Sequence, residues 1–246
     1  MKDWPYPLWI AHRGAGKLAP ENTLAAFRLG ASYGYRAFEC DVKLSADGVP
    51  FLLHDDTLER TSSGDGVAGA RTWSELALLD AGSWHSRGFA GEALPSLAAV
   101  ARYCLRNGFA LNLEMKPTSG VEDTTGRVVA EEAARLWGGQ PVLPLLSSFR
   151  PEALQGARGG APEVPRALLL DTLWSGWFEV AQVLGCAAVA TNHRLMDAPL
   201  IAKLHSAGLH ALVYTVNDAA DARRLLALGI DSIITDAVDR FAPAGA

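Results

Sequence analysis

Long apolar runs are missing from this sequence. No stretch approaches the 18 or so apolar residues that a membrane span needs, so no stable membrane association is expected. Met1 to Ile10 lacks a basic segment followed by a long apolar one, which reads against a secretory leader and makes a cytoplasmic location the expectation. Runs of basic residues are missing as well. With 22 Lys and Arg against 27 Asp and Glu, the formal net charge is -5, and no broad attraction to nucleic acid is expected. A local cationic pocket is still compatible with that charge. Cysteine is scarce: Cys40, Cys104 and Cys186 are odd in number, far apart and form no CxxC pair. That argues against a disulfide framework or a cysteine zinc site and leaves each as a small buried apolar residue. No linker rich in Pro, Gly or Ser divides the 246 residues, so a single domain over 1–246 is the simplest organisation.

What is present is alternation. Short apolar runs at Leu8–Ala11, Ala37–Asp41, Ala110–Glu114, Val142–Ser147, Arg166–Leu170, Ala187–Thr191, His210–Tyr214 and Ser232–Thr235 read as strands, with helical patterns between them. Leu97, Val100, Ala101, Cys104 and Leu105 form an apolar stripe closed by Gly108. Asp197 ahead of Pro199, with Gly208 after, reads as a cap, a first-turn proline and a stop; Asp218 and Gly229 bracket another helix. Eight strands alternating with helices in about 250 residues predict a (β/α)8 TIM barrel, an α/β fold. The stretch 42–109 breaks the rhythm. It opens with the tight-turn signal Ser45-Ala46-Asp47-Gly48 and the apolar run Pro50–Leu53, which predicts a hairpin off the second barrel strand; the rest reads as an insertion over the catalytic face.

Active sites of such barrels lie at the C-terminal strand ends, so the polar residues there are the candidates. His12 and Arg13 follow the first strand, Glu39 and Asp41 end the second, and Glu114 ends the third with Lys116 two residues on. The two-residue period of a strand puts Glu39 and Asp41 on one side and Cys40 on the other, and groups Asn112, Glu114 and Lys116. Three carboxylates in one barrel mouth are costly: two charges about 5 Å apart repel by roughly 3 kcal/mol at an effective dielectric near 20. One divalent cation brings the cluster from -3 to -1, and a phosphodiester together with Arg13 and Lys116 brings the total to zero. An all-oxygen ligand set selects a hard ion, Mg²⁺ or Ca²⁺. His12 and His54, two imidazoles at strand ends, can divide the proton traffic as acid and base. Asp55 either orients an imidazole or starts a turn. Asn22 or Thr23 caps the first helix, and Glu21 or Asn22 is within reach of the metal ligands. Trp84, Phe149, Trp174 and Tyr214 lie at or near rim loops and are candidates for pocket walls, whereas His85, His193, His205 and His210 read as structural.

The ordered set His12-Arg13-Gly14, Pro20-Glu21-Asn22-Thr23, Glu39-x-Asp41, His54-Asp55, Glu114-x-Lys116, Val213-Tyr214-Thr215-Val216-Asn217 and Ile234-Thr235-Asp236 closely resembles the glycerophosphodiester phosphodiesterase family, bacterial cytoplasmic type. The likeness runs from about residue 10 to 236. It implies a TIM barrel that hydrolyses glycerophosphodiesters, small-molecule substrates, to glycerol 3-phosphate and an alcohol. By the same resemblance Glu39, Asp41 and Glu114 hold the metal, His12 and His54 are acid and base, and Arg13 and Lys116 hold the phosphate. Tyr214 stands where a tryptophan is common in these enzymes, on the alcohol side of the substrate. Rival expectations are a related barrel phospholipase acting on intact lipids and a non-catalytic barrel that binds phosphorylated metabolites.

Overall fold

A computed structural model describes residues 3–241 and 243. Nine strands and eight helices follow in chain order: β1 Trp9–Ala11, α1 Leu24–Ser32, β2 Ala37–Leu44, β3 Pro50–Leu52, α2 Trp73–Leu76, α3 Leu97–Asn107, β4 Ala110–Met115, α4 Glu122–Leu136, β5 Leu145–Ser148, α5 Pro151–Gly160, β6 Arg166–Leu170, α6 Trp177–Val183, β7 Ala188–Asn192, α7 Ala198–Ser206, β8 His210–Tyr214, α8 Ala219–Ala227 and β9 Ser232–Thr235. All strands except β3 run parallel. β1 pairs with both β2 and β9, which closes eight of them into a (β/α)8 barrel. No helix among the described residues is long and apolar enough to cross a membrane.

Two apolar layers follow from strand alternation. Cys40, Val42, Leu111, Leu113 and Met115 face outward onto the helices, where Leu97, Val100, Ala101 and Cys104 of α3 meet them. Leu145, Ala167, Leu169, Ala188, Ala190 and Leu212 fill the barrel interior, with Tyr6 packed among them. All three cysteines are free and buried, as their apolar surroundings require. The helix ends carry the expected chemistry: Thr23, Ser96, Asp197 and Asp218 each accept a backbone N–H at an N-terminus, and Gly108 closes α3 in the left-handed conformation.

Two boundaries differ from the sequence pattern by three residues, and several others by one. The fourth barrel strand begins at Leu145, not Val142, because Pro144 has no N–H to give to a ladder. The second runs on to Leu44, since beyond the barrel rim its residues pair with the antiparallel β3, Val42 opposite Leu52 and Leu44 opposite Pro50. Within 42–109, α3 packs on the barrel as one of its outer helices. Residues 45–96 carry a separate small core of Phe51, Leu53, Leu58, Ala68, Leu76, Ala81 and Leu94. That core gives the inserted segment a fixed shape from which its polar side chains can be aimed.

Candidate active site

The register of β2 and β4 builds the acidic centre. Glu39 lies opposite Asn112 and Asp41 opposite Glu114, so inward-facing carboxylates from neighbouring strands stand side by side. One oxygen from each of Glu39, Asp41 and Glu114 lies within 4.8 Å of the others. Glu39 Oε1 and Asp41 Oδ1 are buried with no hydrogen-bond partner, an arrangement that costs energy unless another group meets them. Burial pushes the Glu39 carboxyl up to about 8, and the neighbouring Asp41 adds to the rise. Glu114 is also raised, first by burial and then by Asp41. Burial works in the same sense on Asp41 but is outweighed by Arg13, His54, Lys116 and the Asn22 hydrogen bond, which hold it below the usual carboxylate range. Unmet buried oxygens among three convergent carboxylates suit a hard divalent ion.

Arg13 and Asn22, which flank the β1–α1 loop, are the two non-glycine residues with positive φ among those described, at 51° and 60°. Such backbone costs energy and is held by its surroundings. The Arg13 N–H donates to Glu39 Oε2 at 3.0 Å, and the Arg13 carbonyl accepts from Asn22 N at 3.0 Å. Asn22 in turn clamps Asp41: its Nδ2 donates to Oδ2 at 2.8 Å while its Oδ1 accepts the Asp41 N–H at 3.0 Å. Thr23, not Asn22, is the helix cap. The Arg13 side chain lies 3.2 Å from Asp41 and 2.8 Å from Glu21, and Lys116 Nζ lies 3.1 Å from Glu114 Oε1. Both cations thus neutralise the cluster in this state.

The two histidines flank that centre, and each has Nδ1 on a carboxylate. His12 Nδ1 is 2.6 Å from Asp236 Oδ1, with Nε2 3.7 Å from Glu39. His54 Nδ1 is 2.7 Å from Asp55 Oδ1. Their environments pull them apart. Burial acts to lower the His12 pKa, but the Asp236 hydrogen bond and the Glu39 charge outweigh it and leave it raised. For His54 burial prevails, helped by Arg13 and Lys116, and the pKa falls. Asp236 is itself fixed by Asn217, which donates to Oδ2 at 2.9 Å and accepts its N–H at 2.9 Å. Gly16 lets the β1–α1 loop lie against this strand end, since a Cβ there would sit 2.1 Å from the Asp236 carbonyl oxygen.

A cavity of about 230 Å³ joins these parts, lined by His12, Arg13, Glu39, His54, Asn112, Glu114, Lys116, Phe149 and Tyr214 among others. Phe149 and Tyr214 pack edge to face, ring centroids 5.6 Å apart, and Lys116 Nζ sits 5.8 Å from the Phe149 ring. The Tyr214 hydroxyl is buried without a hydrogen-bond partner. Trp84, Trp174, His85, His193, His205 and His210 do not line this cavity. A larger hollow of about 830 Å³, with Trp4, Tyr6 and His210, lies at the opposite end of the barrel.

The sequence profile of the glycerophosphoryl diester phosphodiesterase family matches residues 12–240. The chain belongs to that family. A glycerophosphodiester phosphodiesterase of Caldanaerobacter subterraneus is 30% identical over 233 residues, 93% of each chain. Among solved structures, an Oleispira antarctica phosphodiesterase holding its product sn-glycerol 3-phosphate is 34% identical, with a TM-score of 0.88 over 96% of this chain and 95% of that one. A glycerophosphodiester phosphodiesterase from Agrobacterium tumefaciens is also 34% identical, with a TM-score of 0.82 over 96% and 99%. As a family member, the chain is a phosphoric diester hydrolase.

Four residues with a part in this geometry have no role assigned from the sequence, although Asn217 and Asp236 stand in the motifs that carry the family resemblance. Asp236 follows the last strand, where the strand-end rule marks it without naming a partner. Asn217 sits just beyond β8, where its pairing with Asp236 is invisible. Lys43 shares the inward parity of Glu39 and Asp41; it is fully buried and donates to Asp56 at 2.8 Å and to the Lys116 carbonyl at 3.0 Å. Arg60 lies in the inserted segment with no period to announce it.

Proposed function

We propose that this chain hydrolyses glycerophosphodiesters to glycerol 3-phosphate and an alcohol, with Mg²⁺ or Ca²⁺ held by Glu39, Asp41 and Glu114. The observation that carries the reading is a pair of carboxylate-anchored histidines, shifted in opposite directions, that line one cavity with Glu39 and Glu114 beside the convergent Asp41. When bound, the ion supplies Lewis-acid stabilisation of charge on the phosphoryl oxygens. Arg13 and Lys116 add positive charge on the same side and orient the diester. His54, whose lowered pKa leaves it neutral near pH 7, takes the proton of the nucleophile at Nε2 while Asp55 holds Nδ1–H. His12, whose raised pKa favours the protonated form, donates from Nε2 to the departing alkoxide while Asp236 holds the ring. Environments that separate two titratable groups in this way mark base and acid. Tyr214 and Phe149 wall the cavity where the organic part of the substrate lies.

The nucleophile is water or the glycerol 2-hydroxyl. The second route passes through a cyclic phosphate, which phosphorus NMR during turnover detects. Release of glycerol 3-phosphate from a panel of glycerophosphodiesters, with and without chelator, tests the whole reading. No release from any member at saturating Mg²⁺ and Ca²⁺ overturns it.

A further inference from the structure

The guanidinium of Arg60 sits between two carboxylates. Its Nε and Nη2 reach Asp55 Oδ2 and Oδ1 at 2.5 and 3.0 Å, and its Nη1 and Nη2 reach Glu21 Oε2 and Oε1 at 2.9 and 2.7 Å. Both contacts are two-pronged, the geometry in which the arginine fork fixes a carboxylate plane. Each carboxylate has a second task. Asp55 accepts from His54 Nδ1, and Glu21 accepts from Arg13 Nη1 at 2.8 Å. The Asp55 carboxyl lies well below the usual range, mainly through the Arg60 hydrogen bonds.

Arg60 side-chain atoms are 46% exposed, and a single exposed ion pair contributes little to stability. A networked double fork is different, because its effect is on direction. His54 comes from just past β3 and Arg13 from just past β1, two segments that Arg60 joins through Asp55 and Glu21. Without Arg60, Glu21 stays with Arg13, but Asp55 faces it with only His54 Nδ1 as a partner and is free to turn away. Asp55 then no longer presents one fixed oxygen to Nδ1, and the ring loses what holds Nε2 toward the cavity. Arg13 keeps Asp41 and Glu21, so phosphate binding is largely spared.

We propose that Arg60 is a positioning residue for the hydrolysis, locking the ring orientation and tautomer of His54 through Asp55 while anchored on Glu21. The proposal rests on the assignment of His54 as base, and the test separates the two. In the full chain with saturating metal, kcat and KM are measured for wild type, Arg60→Met, Arg60→Lys, His54→Ala and the double variant His54→Ala with Arg60→Met. Ring-nitrogen ¹⁵N shifts of His54 are recorded for wild type and Arg60→Met.

Arg60→Met should lower kcat about 10- to 100-fold, the usual cost of a misplaced catalytic group, with KM changed less than about threefold. In the His54→Ala background the same substitution should cost almost nothing further, because groups that act as a unit are not additive. The ¹⁵N shifts should move from one dominant tautomer to a mixture. Arg60→Lys keeps the charge without the fork and should fall between the two; it also carries the test if Arg60→Met folds poorly. Wild-type kcat in either Arg60 variant, or an equal loss with and without His54, overturns the proposal. If His54→Ala itself retains near-wild-type kcat, the base assignment fails, and the tautomer shifts alone decide the role of Arg60.

Discussion

Binding of the divalent ion should expel a proton, and the structure sets how many. Glu39 has the carboxyl raised to about 8 by burial and by Asp41. At pH 7 such a group is about 90% protonated, yet a metal ligand must be ionised. Titrating Mg²⁺ or Ca²⁺ into metal-free protein at pH 7 should therefore release most of a proton per ion from Glu39, with any protonated fraction of Glu114 adding to it. The count should fall toward zero as pH rises past 8, where Glu39 is already ionised. Affinity should rise close to tenfold per pH unit between about pH 5 and 7 and flatten above 8. The same shift acts on folding. A carboxyl raised above its ordinary 4.5 destabilises the metal-free fold as pH climbs from there toward 8. The ion should cancel that loss, so stabilisation by metal grows with pH over this window. Calorimetry in two buffers of different ionisation enthalpy gives the proton count. Zero protons at pH 7, or a count that Glu39→Gln leaves unchanged, refutes the argument that burial and crowding prepare this site for a cation.

Three further outcomes are expected. The profile of kcat/KM against pH should be a bell, rising as His54 loses its proton below its ordinary 6.5 and falling as His12 loses its proton above it; a profile without the alkaline limb removes His12 as the acid. His12→Ala and His54→Ala should each cut kcat about 10²- to 10⁴-fold on an alkyl diester, whereas a nitrophenyl leaving group, which needs no proton, should restore much of the loss for His12→Ala alone. Exhaustive chelation should abolish turnover with little change in circular dichroism, and Mg²⁺ or Ca²⁺ should restore it; full activity in protein shown by elemental analysis to be metal-free contradicts the ligand set proposed here.

Much of the barrel was legible because its strands are short apolar runs bounded by turn residues, and the inward parity of Glu39, Asp41 and Glu114 follows from the period of a strand. The formal charge of those three residues is only part of the picture. That charge is -3, but burial raises Glu39 so far that the metal-free site carries less charge near neutrality. Arg13 and Lys116 were read as phosphate holders, and the structure shows them resting on Asp41 and Glu114, which a count of charges without distances does not reveal. Asp236 and Arg60 were harder still. The partner of each is fixed by tertiary geometry, across the barrel seam for one and across two loops for the other, and a local pattern carries no trace of such pairing. Asn22 was placed near the metal ligands, but its two hydrogen bonds to Asp41 depend on a positive φ that sequence does not display.

The pair formed by His12 and Asp236 ties chemistry to closure of the barrel. The residues are 224 positions apart, and the contact exists only where β9 docks against β1 to shut the ring. Contacts of that sequence separation carry a large loop-closure cost and are late on most folding routes. The carboxylate cluster needs only β2 and β4, which are neighbours in the ring. A chain stalled before closure, or shortened ahead of Asp236, would thus keep its cation ligands and lack an anchored acid. Turnover in this protein doubles as a gauge of whether the ring is shut, and during refolding it should recover with the slowest phase, after the β2–β4 ladder has formed.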